Sequence, residues 1–275
     1  MAAEPGWVPP GTDLSKANTA RVYDWWVGGT HNFRADQDTA RSLIAVEPNV
    51  RAMARANRAF LGRAVRFLAA EAGLRQFLDI GSGIPTEQNV HQVAQETAPG
   101  SRVAYVDYDE VAVGHSKLLL DGSPGTTVVQ ADLRDPARIL GDPEIGRLID
   151  FTQPVGLLLV AVLHLIQDSE HPAEILAALR AALAPGSYLV ICHGCRDSRP
   201  DVASAFEAVY NSRVAVSGAA LRTRDEIARF FDGFSLIDPG LVWLPEWRPD
   251  SPDDVPEDPA SLWALVGVAR YDGPR

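Results

Sequence analysis

The sequence predicts an α/β fold: a mostly parallel sheet with helices on both faces, preceded by a helical segment. Two observations carry this. From Phe77 onward, short apolar runs alternate with stretches of helical periodicity, the pattern of parallel strands joined by crossover helices. Within that region VGLLLVAVL, residues 155–163, is apolar at every position, as a central strand covered on both faces requires. Strands are expected at 76–80, 102–106, 126–130, 155–162 and 187–193, with helices at 86–97, 110–120, 135–140 and 172–183 between them. After Cys195 come helices at 201–210 and 224–232, the second capped by Thr223 with Glu226 three residues on. Last strands at 234–243 and 262–270 flank PEWRPDSPDDVPEDPAS, which is acidic and proline-rich and reads as a solvated loop.

Ahead of the sheet, residues 1–15 mix proline, glycine and charge without periodicity and read as a loose arm. Asn18 can cap a first helix that Gly28 and Gly29 end. Pro48 fits the first turn of a longer helix that runs to about Glu71 and closes at Gly73. The expected division is therefore an arm and helical lid over residues 1–75 and a ligand-binding core over 76–275.

Composition narrows the function. Of 275 residues, 46% are hydrophobic and 22% charged, the range of ordinary globular chains. No stretch reaches the roughly 18 uninterrupted apolar residues of a membrane span, so no membrane partner is expected. The first residues lack a basic and apolar leader pattern, which makes the cytoplasm the expected location. A net charge of −11 repels a phosphate backbone, so nucleic acid is a poor candidate partner. Cys192 and Cys195 form a lone C-x-x-C without the second ligand pair of a structural zinc site; reduced thiols and no metal are expected. Nothing in the sequence fixes an oligomeric state.

The strongest local signal is FLDIGSGIPT, residues 77–86, an apolar strand, a tight turn containing Gly81, Ser82 and Gly83, and then a helix opened by Pro85. Such a turn lets backbone approach a nucleotide closely and points helix N–H groups at it. Asp79, two residues before the first glycine, discriminates among ligands. A carboxylate there repels a diphosphate but favours S-adenosyl-L-methionine, which has no phosphate and carries an ammonium and a sulfonium. The dinucleotide fingerprint also lacks its third glycine, since Thr86 follows Pro85. Asp107, followed by Tyr108, ends the second strand where a carboxylate can accept both ribose hydroxyls. Asp132 follows the third strand, where it can accept from an adenine amino group while Leu133 packs on the ring; capping a turn is its ordinary alternative.

With FLDIGSGIP, AYVDYD, QADLRD and VAVLHLIQD in these places, the chain resembles the Rossmann-like class I S-adenosylmethionine-dependent methyltransferases over residues 76–270. NTARVYDWWVGGTHNFRAD and NRAFLGRAVRFL make it similar, more narrowly, to a bacterial family of S-adenosyl methyltransferases once classed as a domain of unknown function. The resemblance implies a seven-stranded sheet of order 3-2-1-4-5-7-6 with the inserted last strand antiparallel. It also implies that Val160 and Ala161 lie beside the methyl group. No polar group stands at Val160, where many amine and amide methyltransferases have Asn or Asp, and this counts against methylation of a simple amide.

In-line methyl transfer to a small-molecule acceptor needs positioning and no covalent enzyme intermediate. If the acceptor must lose a proton, His164, His31 and Tyr23 are the candidate bases, although a histidine after a strand is more often structural. Tyr23 and Arg21 are expected to approach the cofactor, Arg21 at its carboxylate, with His31 and Asn32 facing the acceptor beneath an aromatic lid. Arg51, Arg55, Arg58 and Arg66 fall near one face of the long helix, read first as a solvated face and second as a dock for an anionic acceptor. Two other classes stay open: a nicotinamide-dependent oxidoreductase, against which Asp79 counts, and a non-catalytic sensor of the same cofactor.

Overall fold

The computed structural model describes residues 8–86, 88–214 and 218–274. Eight strands form one sheet: β1 (Gln76–Ile80), β2 (Arg102–Asp107), β3 (Thr126–Gln130), β4 (Gly156–Val160), β5 (Tyr188–Gly194), β6 (Ser235–Leu236), β7 (Val242–Trp243) and β8 (Ala264–Arg270). Their order is β3-β2-β1-β4-β5-β8-β6, with β7 also on β8. Strands β1 to β5 are mutually parallel, and β8 runs antiparallel to β5, β6 and β7. The strand order reverses between β1 and β4, and a ligand crevice opens at the carboxyl ends of the strands at such a switch point.

Strand side chains alternate between two cores, as a pleat with a period of two dictates. Phe77, Val103, Leu158 and Val190 pack with Phe60, Leu61 and Leu68 of α3 (Val50–Ala70). Leu78, Ile80, Leu157 and Leu159 pack with residues of α6 (Pro136–Leu140), α7 (Pro143–Leu148) and α8 (Pro172–Ala181). The remaining helices after α3 are α4 (Val90–Thr97), α5 (Glu110–Leu119), α9 (Pro200–Arg213) and α10 (Arg224–Arg229).

Before α3 come α1 (Thr19–Val27) and α2 (Arg34–Val46). The Asn18 side chain accepts from the Ala20 amide as the N-cap of α1, and Gly28 closes the helix at a φ of +92°. Gly29 is fixed by close approach instead, because a Cβ there would lie 2.0 Å from Oδ1 of Asp24. Asp36 ties the two helices together. Its Oδ1 accepts from the Asn18 amide at 2.9 Å and from Arg21 Nε at 3.2 Å, and its Oδ2 accepts from the Phe33 amide at 2.8 Å.

Several sequence expectations change here. The helix expected at 86–97 starts only at Val90, where Asn89 and Gln92 hold its first turn, so the glycine turn leads into a loop and not directly into helix N–H groups. Residue 87 of that expected helix, and residues 1–7 of the expected arm, lie outside the described residues. Strand 155–162 stops at Val160 because Ala161 takes a φ of +62°. The expected strand 234–243 is two short pieces separated by Pro239 and Gly240. Helices α2 and α7 were not anticipated.

The Arg21–Asp36 pair is buried, with side chains 4% and 0% exposed. Removing one partner of a buried ion pair leaves an uncompensated charge and costs about 3 to 5 kcal/mol. Asp36→Ala is accordingly expected to lower unfolding stability by about 3 kcal/mol or more, read from the urea midpoint, whereas Asp38→Ala on the exposed side of the same helix leaves the midpoint within about 0.5 kcal/mol.

Candidate active site

The turn after β1 is shaped by its glycines. Gly81 has a φ of +75° and a built Cβ would lie 2.4 Å from Val162 Cγ2, so neither the backbone conformation nor the packing admits a side chain. Gly83, at a φ of +66°, faces open space where its Cβ would stand. Amides of Gly81 and Ser82 donate to the Val106 carbonyl at 2.8 and 3.2 Å, which pins the turn across the top of β2. Above it lies a cleft of about 770 Å³, bordered by this turn, by Asp79, Asp107 and Tyr108, by Val160 and Ala161, and by α1 and α3.

Two carboxylates at the strand ends face the cleft. Asp79 is 5% exposed, and no donor among the described residues bonds its oxygens. Burial pushes its pKa up to about 7 against the partial relief of Arg58, with Asp107 adding to the rise. Asp107 is also raised, to about 6, by burial, although backbone amides of Asp109 and Gly83 donate to its Oδ1 and Oδ2 at 2.9 and 2.7 Å. Each oxygen keeps a further lone pair for a ligand hydroxyl. Tyr108 lies beside it, its hydroxyl 3.3 Å from Asn18 Nδ2.

Beyond Asp107 the cleft continues into a smaller apolar recess lined by Ile80, Ala131, Leu133 and Ile166, with Asp132 at its edge. Arg134 holds Asp132 through Nε at 2.9 Å and Nη2 at 2.6 Å and also reaches Glu170 at 2.9 Å. Burial opposes ionisation of Asp132, but these hydrogen bonds outweigh it and keep the pKa below the ordinary carboxylate value.

At the other end stands a second, apolar pocket of about 610 Å³, with walls from Trp26, Met53, Phe206, Leu221 and Trp263. Thr19, Tyr23 and Ala161 line both it and the cofactor-sized cleft. Tyr23 is fixed at this junction: its hydroxyl donates to the Ala54 carbonyl and accepts from Asn57 Nδ2, each at 2.9 Å. Burial pushes its pKa up to about 12, so it remains a neutral phenol. His164 lines the apolar pocket, and burial, aided by the charge of Arg222, lowers its pKa to about 4.

Three expected site residues lie elsewhere. Arg21 is committed to Asp36 and to the Lys16 carbonyl at 2.8 Å, with Phe33 5.7 Å from its guanidinium, and does not border the cleft. His31 packs on His115, ring centroids 3.8 Å apart and planes tilted by 50°, while its amide donates to Asp24, and it too stands outside both pockets. Asn32 is likewise occupied by Asp24 and the Gly29 carbonyl. The cation that does border the cleft is Arg58 of α3, a residue first read as part of a solvated face. Asn57 beside it was missed; its Oδ1 is buried without a hydrogen-bond partner among the described residues. Odd-numbered β1 residues face α3, so Asp79, Asn57 and Arg58 converge because one strand face meets one helix face.

Comparison with known proteins fits this geometry. Residues 5–272 match the sequence model of a family described as S-adenosyl methyltransferase. The chain belongs to this S-adenosyl methyltransferase family. A crystal structure of a candidate methyltransferase from Thermobifida fusca is 41% identical over 98% of this chain and 100% of its own, with a TM-score of 0.91. A DUF574 family protein from Streptomyces avermitilis is 38% identical over 94% and 99% of the two chains, with a TM-score of 0.90. The 1,6-didemethyltoxoflavin-N1-methyltransferase of Burkholderia thailandensis, solved with 1,6-didemethyltoxoflavin and S-adenosylhomocysteine, is 20% identical over 78% and 80%, with a TM-score of 0.50, and shares the fold alone. No curated protein matches the sequence.

The S-adenosyl methyltransferase thus has the Rossmann-like methyltransferase sheet, and its cofactor is S-adenosyl-L-methionine. The cleft fits that molecule. Asn57 Oδ1 is a buried acceptor without a partner among the described residues, the Asp79 carboxylate borders the same cleft, and an ammonium group carries three donors. No helix among the described residues is long and apolar enough to cross a membrane.

A raised carboxylate pKa makes the folded state bind protons that the unfolded state has released, so stability falls as pH rises between the two values. With Asp79 moved from 3.8 to about 7, the ligand-free protein is expected to lose on the order of a few kcal/mol between pH 4 and pH 7. Asp79→Asn should flatten that part of the stability-against-pH curve in urea titrations at half-unit intervals. A curve with unchanged slope would mean that Asp79 is ionised throughout.

Proposed function

We propose that this methyltransferase moves the methyl group of S-adenosyl-L-methionine in line onto a small-molecule acceptor held in the apolar pocket. One observation carries the reading: the cleft that Asp79 and Asp107 border and the apolar pocket meet at Thr19, Tyr23 and Ala161, so cofactor and acceptor would have adjoining places under one roof. When bound, the cofactor supplies a methyl carbon on sulfonium; the acceptor's lone pair forms the new bond as the carbon–sulfur bond breaks and sulfur keeps the pair. The chain's part is positioning and exclusion of water.

Asp79 and Asn57 would hold the ammonium of the methionine moiety, and Arg58, in place of the expected Arg21, would oppose its carboxylate. Asp107 would accept the ribose hydroxyls, with Tyr108 beside them and the glycine turn of Gly81, Ser82 and Gly83 beneath. The base would enter the recess against Leu133, its amino group toward Asp132. Val160 and Ala161 would border the methyl carbon. Residues 1–75 act as the lid in this reading, through α1, whose Tyr23 closes the junction, while most of α3 belongs to the sheet's core. Among the candidate bases His164 remains. His31 stands outside both pockets, and Tyr23 is a neutral hydrogen-bond donor to Ala54. An acidic chain with an apolar acceptor pocket fits a cytoplasmic enzyme of small molecules and not one of nucleic acid.

Calorimetry tests the cofactor half. S-adenosyl-L-methionine and its demethylated product are expected to bind with micromolar affinity and NADH not at all. Asp107→Ala should weaken both cofactor forms by about ten- to a hundredfold, the worth of hydrogen bonds to a charged group. Unchanged affinity in that variant would remove the ribose assignment. Transfer of labelled methyl groups into a fractionated metabolite extract tests the acceptor half; a label that enters only nucleic acid would defeat the small-molecule reading.

A further inference from the structure

The apolar pocket says more about its guest than that it is small. None of the described residues that line it is Asp, Glu, Lys or Arg. An ion would leave water there without an opposite charge to meet, at a cost of several kcal/mol. The nearest buried cation, Arg222, is already used: it donates to the carbonyls of Leu163 and Ile166, to Asp168 and to Nε2 of His193. Aromatic rings make up much of the wall. Phe206 stands 4.9 Å from Trp263 and 6.4 Å from Trp26, centroid to centroid, so the three rings pack on one another as a continuous aromatic wall against which a flat apolar ring can lie.

The wall's polar atoms divide into satisfied and unsatisfied ones. Thr19 and Tyr210 hydroxyls bond to each other, and Tyr23 is held by Ala54 and Asn57. Cys192 is a buried thiol whose pKa burial raises far above neutrality. Two buried atoms lack any partner among the described residues: Nδ1 of His164 and Nε1 of Trp263. Buried polar groups are seldom left so, and the two residues that carry them, an imidazole and an indole, both line this pocket. The His164 backbone is itself fixed, since its carbonyl accepts from the Ala220 amide at 2.8 Å and Arg222 clamps the carbonyls on either side.

We propose that the acceptor is an uncharged, planar aromatic molecule bearing a hydroxyl group, which donates its hydrogen bond to the imidazole of His164, and that the hydroxyl oxygen is the atom methylated. This rests on the methyl-transfer reading above. His164 is neutral at physiological pH and so able to accept that bond. As the O–CH3 bond forms and the carbon–sulfur bond breaks with its electrons going to sulfur, the hydroxyl proton passes to His164. A phenol is a weaker acid than imidazolium, but its O-methylated oxonium is a far stronger one, so the proton moves downhill during the transfer even to a weak base.

The test is binding to the complex with S-adenosylhomocysteine, where no methyl group can move, using 1-naphthol, 1-methoxynaphthalene and 1-naphthoate in calorimetric or fluorescence titrations. 1-Naphthol is expected to bind at least tenfold more tightly than anionic 1-naphthoate and several-fold more tightly than 1-methoxynaphthalene, which has no hydroxyl to donate. His164→Leu should abolish the preference for the naphthol over its methyl ether, His164→Gln should keep part of it, and both should bind S-adenosylhomocysteine as the unaltered protein does. That last measurement also reports folding. Equal or tighter binding of 1-naphthoate, no binding of any ring compound to the loaded protein, or a preference that survives His164→Leu would overturn the proposal and leave the cofactor reading standing. Failure of S-adenosylhomocysteine itself to bind would instead defeat the reading beneath it.

Discussion

The burial of a carboxylate at the end of β1 is the constraint around which the site is built. Asp79 stands on the strand face that meets α3, 5% exposed, with its pKa driven up to about 7. An ionised carboxylate withdrawn from water in this way is costly unless a cation or several donors meet it. The fold supplies only part of that compensation, since Arg58 lowers the pKa while Asp107 raises it. A ligand bringing an ammonium group would complete the rest, which would link its binding to the stability of this part of the protein through one side chain. A diphosphate in the same place would add to the burden, which is why the electrostatics exclude dinucleotides more firmly than the shape of the glycine turn does.

The N-terminal helices extend that logic from cofactor to acceptor. They are held by buried carboxylates of their own, Asp36 between α1 and α2, and Asp24, which binds the His31 amide and Asn32 under the glycine pair. These contacts fix the position of α1, and therefore of Tyr23, which spans the junction of the two pockets while bonded to two residues of α3. The same helix contributes Thr19 to the hydroxyl pair with Tyr210 of α9. Arg21 and His31 thus serve the site without touching it, Arg21 through the buried pair that anchors the roof and His31 through the backbone turn that ends it.

Much of this was legible in the sequence, and the exceptions have physical causes. The parallel strands announced themselves by uninterrupted apolar runs, and Asp79, Gly81 and Asp107 by their places at strand ends, because one strand fixes its own register with the turn that follows. Helix α2 lacked a side-chain N-cap; Phe33 begins it, held by Asp36 from within, a reciprocal contact that resembles no cap when read along the chain. That Arg58 borders the cleft and Arg21 does not has a different reason. Helical periodicity says which residues share a face, not which neighbour that face meets, and only the packing of α3 on β1 turns Arg58 toward the cleft. The acceptor pocket was the least readable part, since Trp26, Phe206 and Trp263 come from three distant segments joined by topology alone.

The turn after β4 is where the two halves of the site become one. Ala161 adopts a φ of +62°, a conformation that costs a residue with a Cβ on the order of 1 to 2 kcal/mol and that collects at functional positions. Its amide nevertheless keeps a bond to the Cys192 carbonyl at 3.0 Å, so the chain leaves the sheet abruptly without surrendering the last ladder contact. That abrupt exit sends Val162 across to pack on Gly81 and His164 back toward the apolar pocket, two residues apart along the chain yet on opposite ends of the combined cavity. A relaxed strand running on to residue 162, as the apolar run alone suggested, would alternate its side chains between the two cores and offer neither contact. The local strain at Ala161 is therefore the geometric condition for the cleft and the apolar pocket to share a wall.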